Sequence, residues 1–168
     1  MRKLALVIAS VLCCFSAASQ GSAALKELKS LLDTCCVQAS YSYSDASGKE
    51  LGSGMAKIQG HKYMVTEGGA VFICNGTTLW SLFKDTKEIY IEKAGGAGDI
   101  FGNLDSILPQ VKDLKYDGRK VTFKLDLPGN PPLLCKAVID RLPFNPDAKF
   151  EVEQGVLQSR EWTVTDLR

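Results

Sequence analysis

Between Gly52 and Glu92 the chain leaves no room for a helix. Five segments, Gly54–Gln59, Tyr63–Glu67, Val71–Cys74, Thr78–Lys84 and Lys87–Glu92, are rich in Val, Ile, Tyr, Phe, Trp and Thr. Gly60-His61-Lys62, Gly68-Gly69, Asn75-Gly76 and Asp85 separate them. Strands this close together must be antiparallel neighbours, because a parallel return needs a crossover of about a dozen residues. Asn75-Gly76 reads as a two-residue hairpin turn, since both residues tolerate φ > 0. The centre of the protein is therefore predicted to be a meander, and its role depends on what the apolar face covers.

The flanks extend that picture. Leu25, Leu28, Leu31 and Leu32 recur at helical spacing and predict an amphipathic helix over Ala24–Thr34. Val37–Ser44 follows as a strand, with Val37, Ala39, Tyr41 and Tyr43 alternating against Gln38, Ser40, Ser42 and Ser44. Asp45–Gly48 then turns the chain into the meander. After Glu92, Ala94–Gly98 is a glycine-rich hinge. Ile100, Leu104, Ile107, Leu108 and Val111 recur at helical spacing, with Pro109 distorting the end of that segment. Strands are expected again at Arg119–Leu127, Leu133–Ile139 and Trp162–Leu167.

Met1-Arg2-Lys3, the apolar run Leu4–Phe15 and Ser16–Ser19 form a secretory signal, too short to span a bilayer. Cleavage is expected after Ala18, with Ala23 as a second small-residue site, leaving one domain over residues 24–168. Neither Cys13 nor Cys14 follows a small residue, so a soluble exported protein is expected rather than a lipid-anchored one. Without Arg2 and Lys3, 18 of the 20 basic residues remain against 19 acidic ones, with no basic run, so nucleic acid is a poor partner. Cys35, Cys36, Cys74 and Cys135 remain after processing. They lack redox-motif and zinc spacing, and they are read as small buried residues with room for one structural bridge.

Catalytic motifs are missing. His61 is the single histidine and sits in a turn, and no serine lies in a G-x-S-x-G elbow. Gly95-Gly96-Ala97-Gly98 lacks the Lys-Ser/Thr of a phosphate loop. No metal or cofactor is expected.

The passage VFICNGTTLWSLFKDTKEIYI, Val71 to Ile91, resembles the strand–Asn-Gly–Thr-Thr-Leu-Trp–strand segment of the periplasmic lipoprotein carriers, the LolA-type chaperones. Ala24-Leu25-Lys26 with Leu28 and Leu31 is similar to that family's first helix. Trp162–Arg168 is similar to the V-x-D-L-R terminus of a variant branch. The family's arginine in the second strand, which latches its helical lid, has no counterpart in Ile58–Lys62. The resemblance implies an α+β, mainly β fold: a curved antiparallel half-barrel with helices covering its concave face. It also implies a non-enzymatic, monomeric periplasmic carrier of lipoprotein acyl chains. Its partners would be an inner-membrane export machinery and an outer-membrane acceptor.

On that reading Tyr41, Tyr43, Trp80 and Leu82 line one apolar sheet face. Ile100, Leu104, Ile107 and Leu108 form a lid that competes with cargo for the cavity. Alternative readings are a lipid-anchored acceptor or other lipid-binding protein of the same fold, a small secreted hydrolase, and a structural module of an envelope complex.

Overall fold

The computed structural model describes residues 23–95 and 108–168. The fold is mainly β. Ten strands form one open sheet: β1 Cys36–Ser44, β2 Glu50–Gln59, β3 Lys62–Glu67, β4 Ala70–Cys74, β5 Thr78–Phe83, β6 Glu88–Lys93, β7 Val111–Tyr116, β8 Lys120–Leu125, β9 Leu133–Leu142 and β10 Thr163–Asp166. The spatial order is β10-β6-β5-β4-β3-β2-β1-β9-β8-β7. The meander from β2 to β6 is antiparallel throughout, as the short gaps require. Among the described strands only β10 runs parallel to its neighbour, β6. Helix α1 is Ala23–Thr34, and a short helix α2 is Gln154–Leu157.

Two expectations from the sequence shift. The β4–β5 turn is centred on Gly76-Thr77, one residue later than Asn75-Gly76. Asn75 N–H donates to Thr78 C=O at 3.2 Å, and Gly76 takes φ +95°. Asn75 shapes the loop through its side chain, whose Oδ1 accepts from the Thr77 and Thr78 N–H groups at 3.0 and 2.9 Å. Val111 is also not the end of a helix. It begins β7, and Leu108–Gln110 directly before it forms a single 3-10 turn containing Pro109. β7 is hidden in the sequence because it is a bulged edge strand with no fully buried residue, so its alternation is weak.

The sheet has a near face and a far face. The near face holds one buried cluster running in sheet order from Leu79 on β5 to Phe123 on β8, through Val65, Ile58, Ala39 and Ile139. Leu28, Leu31 and Leu32 of α1 belong to this cluster. Fully burying each such side chain is worth about 1.5–3 kcal/mol. The last turn of α1 also meets the sheet through Gly60 N–H, which donates to Leu32 C=O at 3.4 Å. That bond occupies one of the carbonyls a helix end leaves unpaired.

The far face is covered by the chain between β9 and β10. Phe150 and Val152 pack there with Ile73, Trp80, Leu82, Ile89 and Ile91. This crossover is what makes β10 parallel. It is anchored by Gln59, whose side chain behaves like one rung of a strand pair. Gln59 Nε2 donates to Asn145 C=O at 2.6 Å, and Asn145 N–H donates to Gln59 Oε1 at 3.0 Å. Gln59 is buried, so both groups would otherwise be dry and unpaired.

Gln59→Leu should therefore remove both hydrogen bonds to the Asn145 backbone and cost about 1–3 kcal/mol. Limited proteolysis should open the 143–152 segment before the meander. Cleavage at the wild-type rate would show that the two hydrogen bonds do not hold it.

Candidate functional site

The site begins with a turn. Asp45 Oδ1 accepts from the N–H groups of Ser47 and Lys49 at 2.9 and 3.1 Å, and Gly48 closes the turn at φ +86°. Together with a bulge at Tyr43/Ser44, that turn fixes the β1–β2 register, placing Tyr41 opposite Gly54 and Tyr43 opposite Gly52. Gly54 in turn pairs with Glu67 on β3. All five residues lie on the near face.

The glycines leave a path for the tyrosine rings. A Cβ on Gly52 would overlap the phenol of Tyr43. One on Gly54 would lie 2.6 Å from Tyr41 Oη and closer still to the Thr66 carbonyl. Each ring thus crosses β2 and reaches β3, two strands or roughly 10 Å away. There Tyr41 Oη donates to Glu67 Oε2 and Tyr43 Oη to Glu67 Oε1, each at 2.7 Å. A carboxylate on the core-facing side of a sheet is costly unless it is hydrogen-bonded, and the two phenols supply those bonds. Burial raises the pKa of both tyrosines well above their ordinary value, and the hydrogen bonds to Glu67 and its negative charge raise them further.

Beside this cluster opens a cavity of about 430 Å³. Tyr43, Glu67, Phe72, Phe83, Leu51 and Asp85 line it, together with Gly52, Ser53, Gly68, Gly69 and Ala70. Phe83 packs edge-on against Phe72 at 6.0 Å and against Tyr90 at 5.9 Å. The Asp85 carboxylate fills the space a side chain at Gly69 would need.

The four aromatic and aliphatic residues expected to share a face do not. Tyr41 and Tyr43 are buried on the near face, but Trp80 and Leu82 lie on the far face under Phe150 and Val152. The pairing shows why. Leu82 is opposite Val71 and Ile89, and Trp80 is opposite Ile73 and Ile91, whereas Phe83 shares the near face with Glu67. Leu108 opens the 3-10 turn, and Ile100, Leu104 and Ile107 lie outside the described residues. Glu67, Phe72 and Phe83 went unrecognised. The available signal was the pair of glycines, Gly52 and Gly54, inside a strand where glycine is unfavourable unless something packs over it.

Among the described residues Cys35, Cys36, Cys74 and Cys135 form no disulfide bridge, and Cys36, Cys74 and Cys135 are buried. Burial pushes the Cys135 thiol up to about 12, which keeps it protonated and unreactive. His61 is exposed in the β2–β3 turn. Among the described residues no three His, Cys, Asp or Glu side chains group to hold a metal, and no helix is long and apolar enough to cross a membrane.

No known protein-family profile matches the chain, and no curated protein matches it. Among solved structures it is similar to an uncharacterized conserved protein from Thermus thermophilus, at 11% identity and a TM-score of 0.45. That match covers 85% of this chain and 96% of the other.

Two outcomes follow from the tyrosine–glycine crossing. Gly54→Ala must displace either the Tyr41 ring or the β3 backbone, and it should destabilise the fold by about 1–3 kcal/mol. Tyr41→Phe in the same background should not relieve the loss, because the Thr66 carbonyl and the ring itself still obstruct the methyl group; urea melts of both variants decide this.

Below about pH 10 both phenols are protonated in the folded and unfolded chain, and their contribution to stability is complete. Above it only the unfolded chain releases these protons readily, so stability should fall as pH rises. Denaturation midpoints measured on either side of pH 10 should show a shallower alkaline decline in Tyr41→Phe/Tyr43→Phe. An unchanged slope would remove the phenols from the account.

Proposed function

We propose that this protein is a non-enzymatic carrier that shields acyl chains of lipoproteins in the cell envelope, on a sheet curled into a half-barrel with α1 on its concave, near face. The cavity carries this reading. It lies on the near face, and Leu51, Ala70, Phe72, Phe83 and the Tyr43 ring give it an apolar wall. Its volume falls within the roughly 300–1,000 Å³ usual for small-molecule sites.

Curvature is supported by the breadth of the near-face cluster. A flat sheet from β5 to β8 in sheet order would be about 30 Å wide at ordinary strand spacing, too wide for three leucines of one helix to cap. Long open sheets relieve this by twisting and curling. An acyl chain contributes about 0.8 kcal/mol for each buried CH₂, so a partly open cavity can hold it and still release it.

Residues on the two faces should therefore matter differently. Phe83→Ala removes a cavity wall and should weaken binding of a fluorescent acyl-chain probe by about tenfold, equivalent to about 1.4 kcal/mol. Trp80→Ala empties a far-face position instead. It should cost about 3–5 kcal/mol of stability while the folded variant binds the probe as the wild type does. Mass spectrometry of material co-purifying from the exported protein should find acylated molecules. A protein that neither carries lipid nor binds the probe is not a carrier.

A further inference from the structure

The charged side chains around the cavity are of one sign. Glu67 can only accept hydrogen bonds when ionised, and the protons of Tyr41 and Tyr43 are already committed to it. Asp85, at the rim, adds a second carboxylate. The lining contains no Lys, Arg or His, and Ser53 is its one side-chain hydroxyl besides that of Tyr43. Among the described residues the ion pairs are Arg119–Asp140, Lys124–Asp113 and Arg168–Asp166, so neither Glu67 nor Asp85 is neutralised by a neighbour.

Two carboxylates facing an aromatic-walled space are complementary to a cation that donates several hydrogen bonds and carries an apolar body. An ammonium group meets the remaining Glu67 lone pairs, and ring faces beside it add attraction. A divalent metal is a poorer fit, since calcium takes about six to eight oxygen ligands. An anionic group would meet like charge at both carboxylates.

We propose that the cavity binds the protonated amino group of an aliphatic amine that has no adjacent anion. Glu67 is the main contact, Asp85 lies at the mouth, and the chain rests against Phe72 and Phe83. The inference rests on the carrier reading and deepens it: a cargo with a free amine next to its acyl chain is preferred, whereas the phosphate beside the amine of an aminophospholipid head is repelled.

The test is displacement of a neutral naphthyl probe from the full chain by dodecylammonium, dodecanol and a dodecanoyl lysophosphatidylethanolamine, each below its micelle concentration. Dodecylammonium should displace the probe at about tenfold lower concentration than the other two, the scale of one charge-assisted hydrogen-bonded contact. The preference should shrink as salt rises. In Glu67→Gln it should approach one. Asp85→Asn, an exposed turn substitution, should reduce it in a protein whose folding is not in question.

Equal displacement by all three would overturn the amine site and leave the carrier reading standing. So would a phospholipid as effective as the ammonium, or a preference that survives both substitutions. Failure of every chain to displace the probe would overturn the carrier reading and the amine site together.

Discussion

Two phenol rings laid across two glycines determine how the near face is built. Tyr41 and Tyr43 fill the space above Gly54 and Gly52, so a strand segment with little side-chain mass still presents a packed surface. The same rings bring hydroxyls to Glu67, which lets a carboxylate sit where the core meets the cavity. Each part requires the others. Without the glycines the rings cannot cross, and without the rings Glu67 loses its partners. The register set at Asp45–Gly48 holds all of them in line.

The two faces of the sheet are stabilised by different means. On the near face the buried leucines of α1 pack into the core cluster, and a cavity opens beside Glu67. The far face is closed by a mostly irregular segment that includes the four-residue helix α2. Its attachment relies on Phe150 and Val152 for apolar contact and on Gln59 for direction. Exposed ion pairs such as Arg119–Asp140 add little to either face.

Much of this architecture is legible in the sequence. Short gaps between strand-like runs compel the antiparallel meander, and leucine spacing marks α1. The misplacement of Trp80 and Leu82 has a physical cause. Every residue of Thr78–Leu82 is buried because β5 is covered on both faces. Alternation reveals a face only when one side is wet, so in a doubly covered strand it carries no sign. β1 is legible because Gln38, Ser42 and Ser44 are only partly buried and Ser40 is exposed. Glu67 was obscured for another reason. Its importance comes from two tyrosines more than twenty positions earlier, and nothing local to VTEGG reveals their approach.

The parallel pairing of β10 with β6 has a consequence for the order of assembly. β10 is the last of the ten strands to be synthesised, yet it covers the open edge of β6, made some seventy residues earlier. The segment that shields Trp80, Ile89 and Ile91 arrives with it. A growing chain that has completed β1 to β9 therefore carries both a bare strand edge and a bare apolar surface, the two features that draw chains into aggregates. Protection of that edge and surface in the nascent protein must come from outside until β10 emerges.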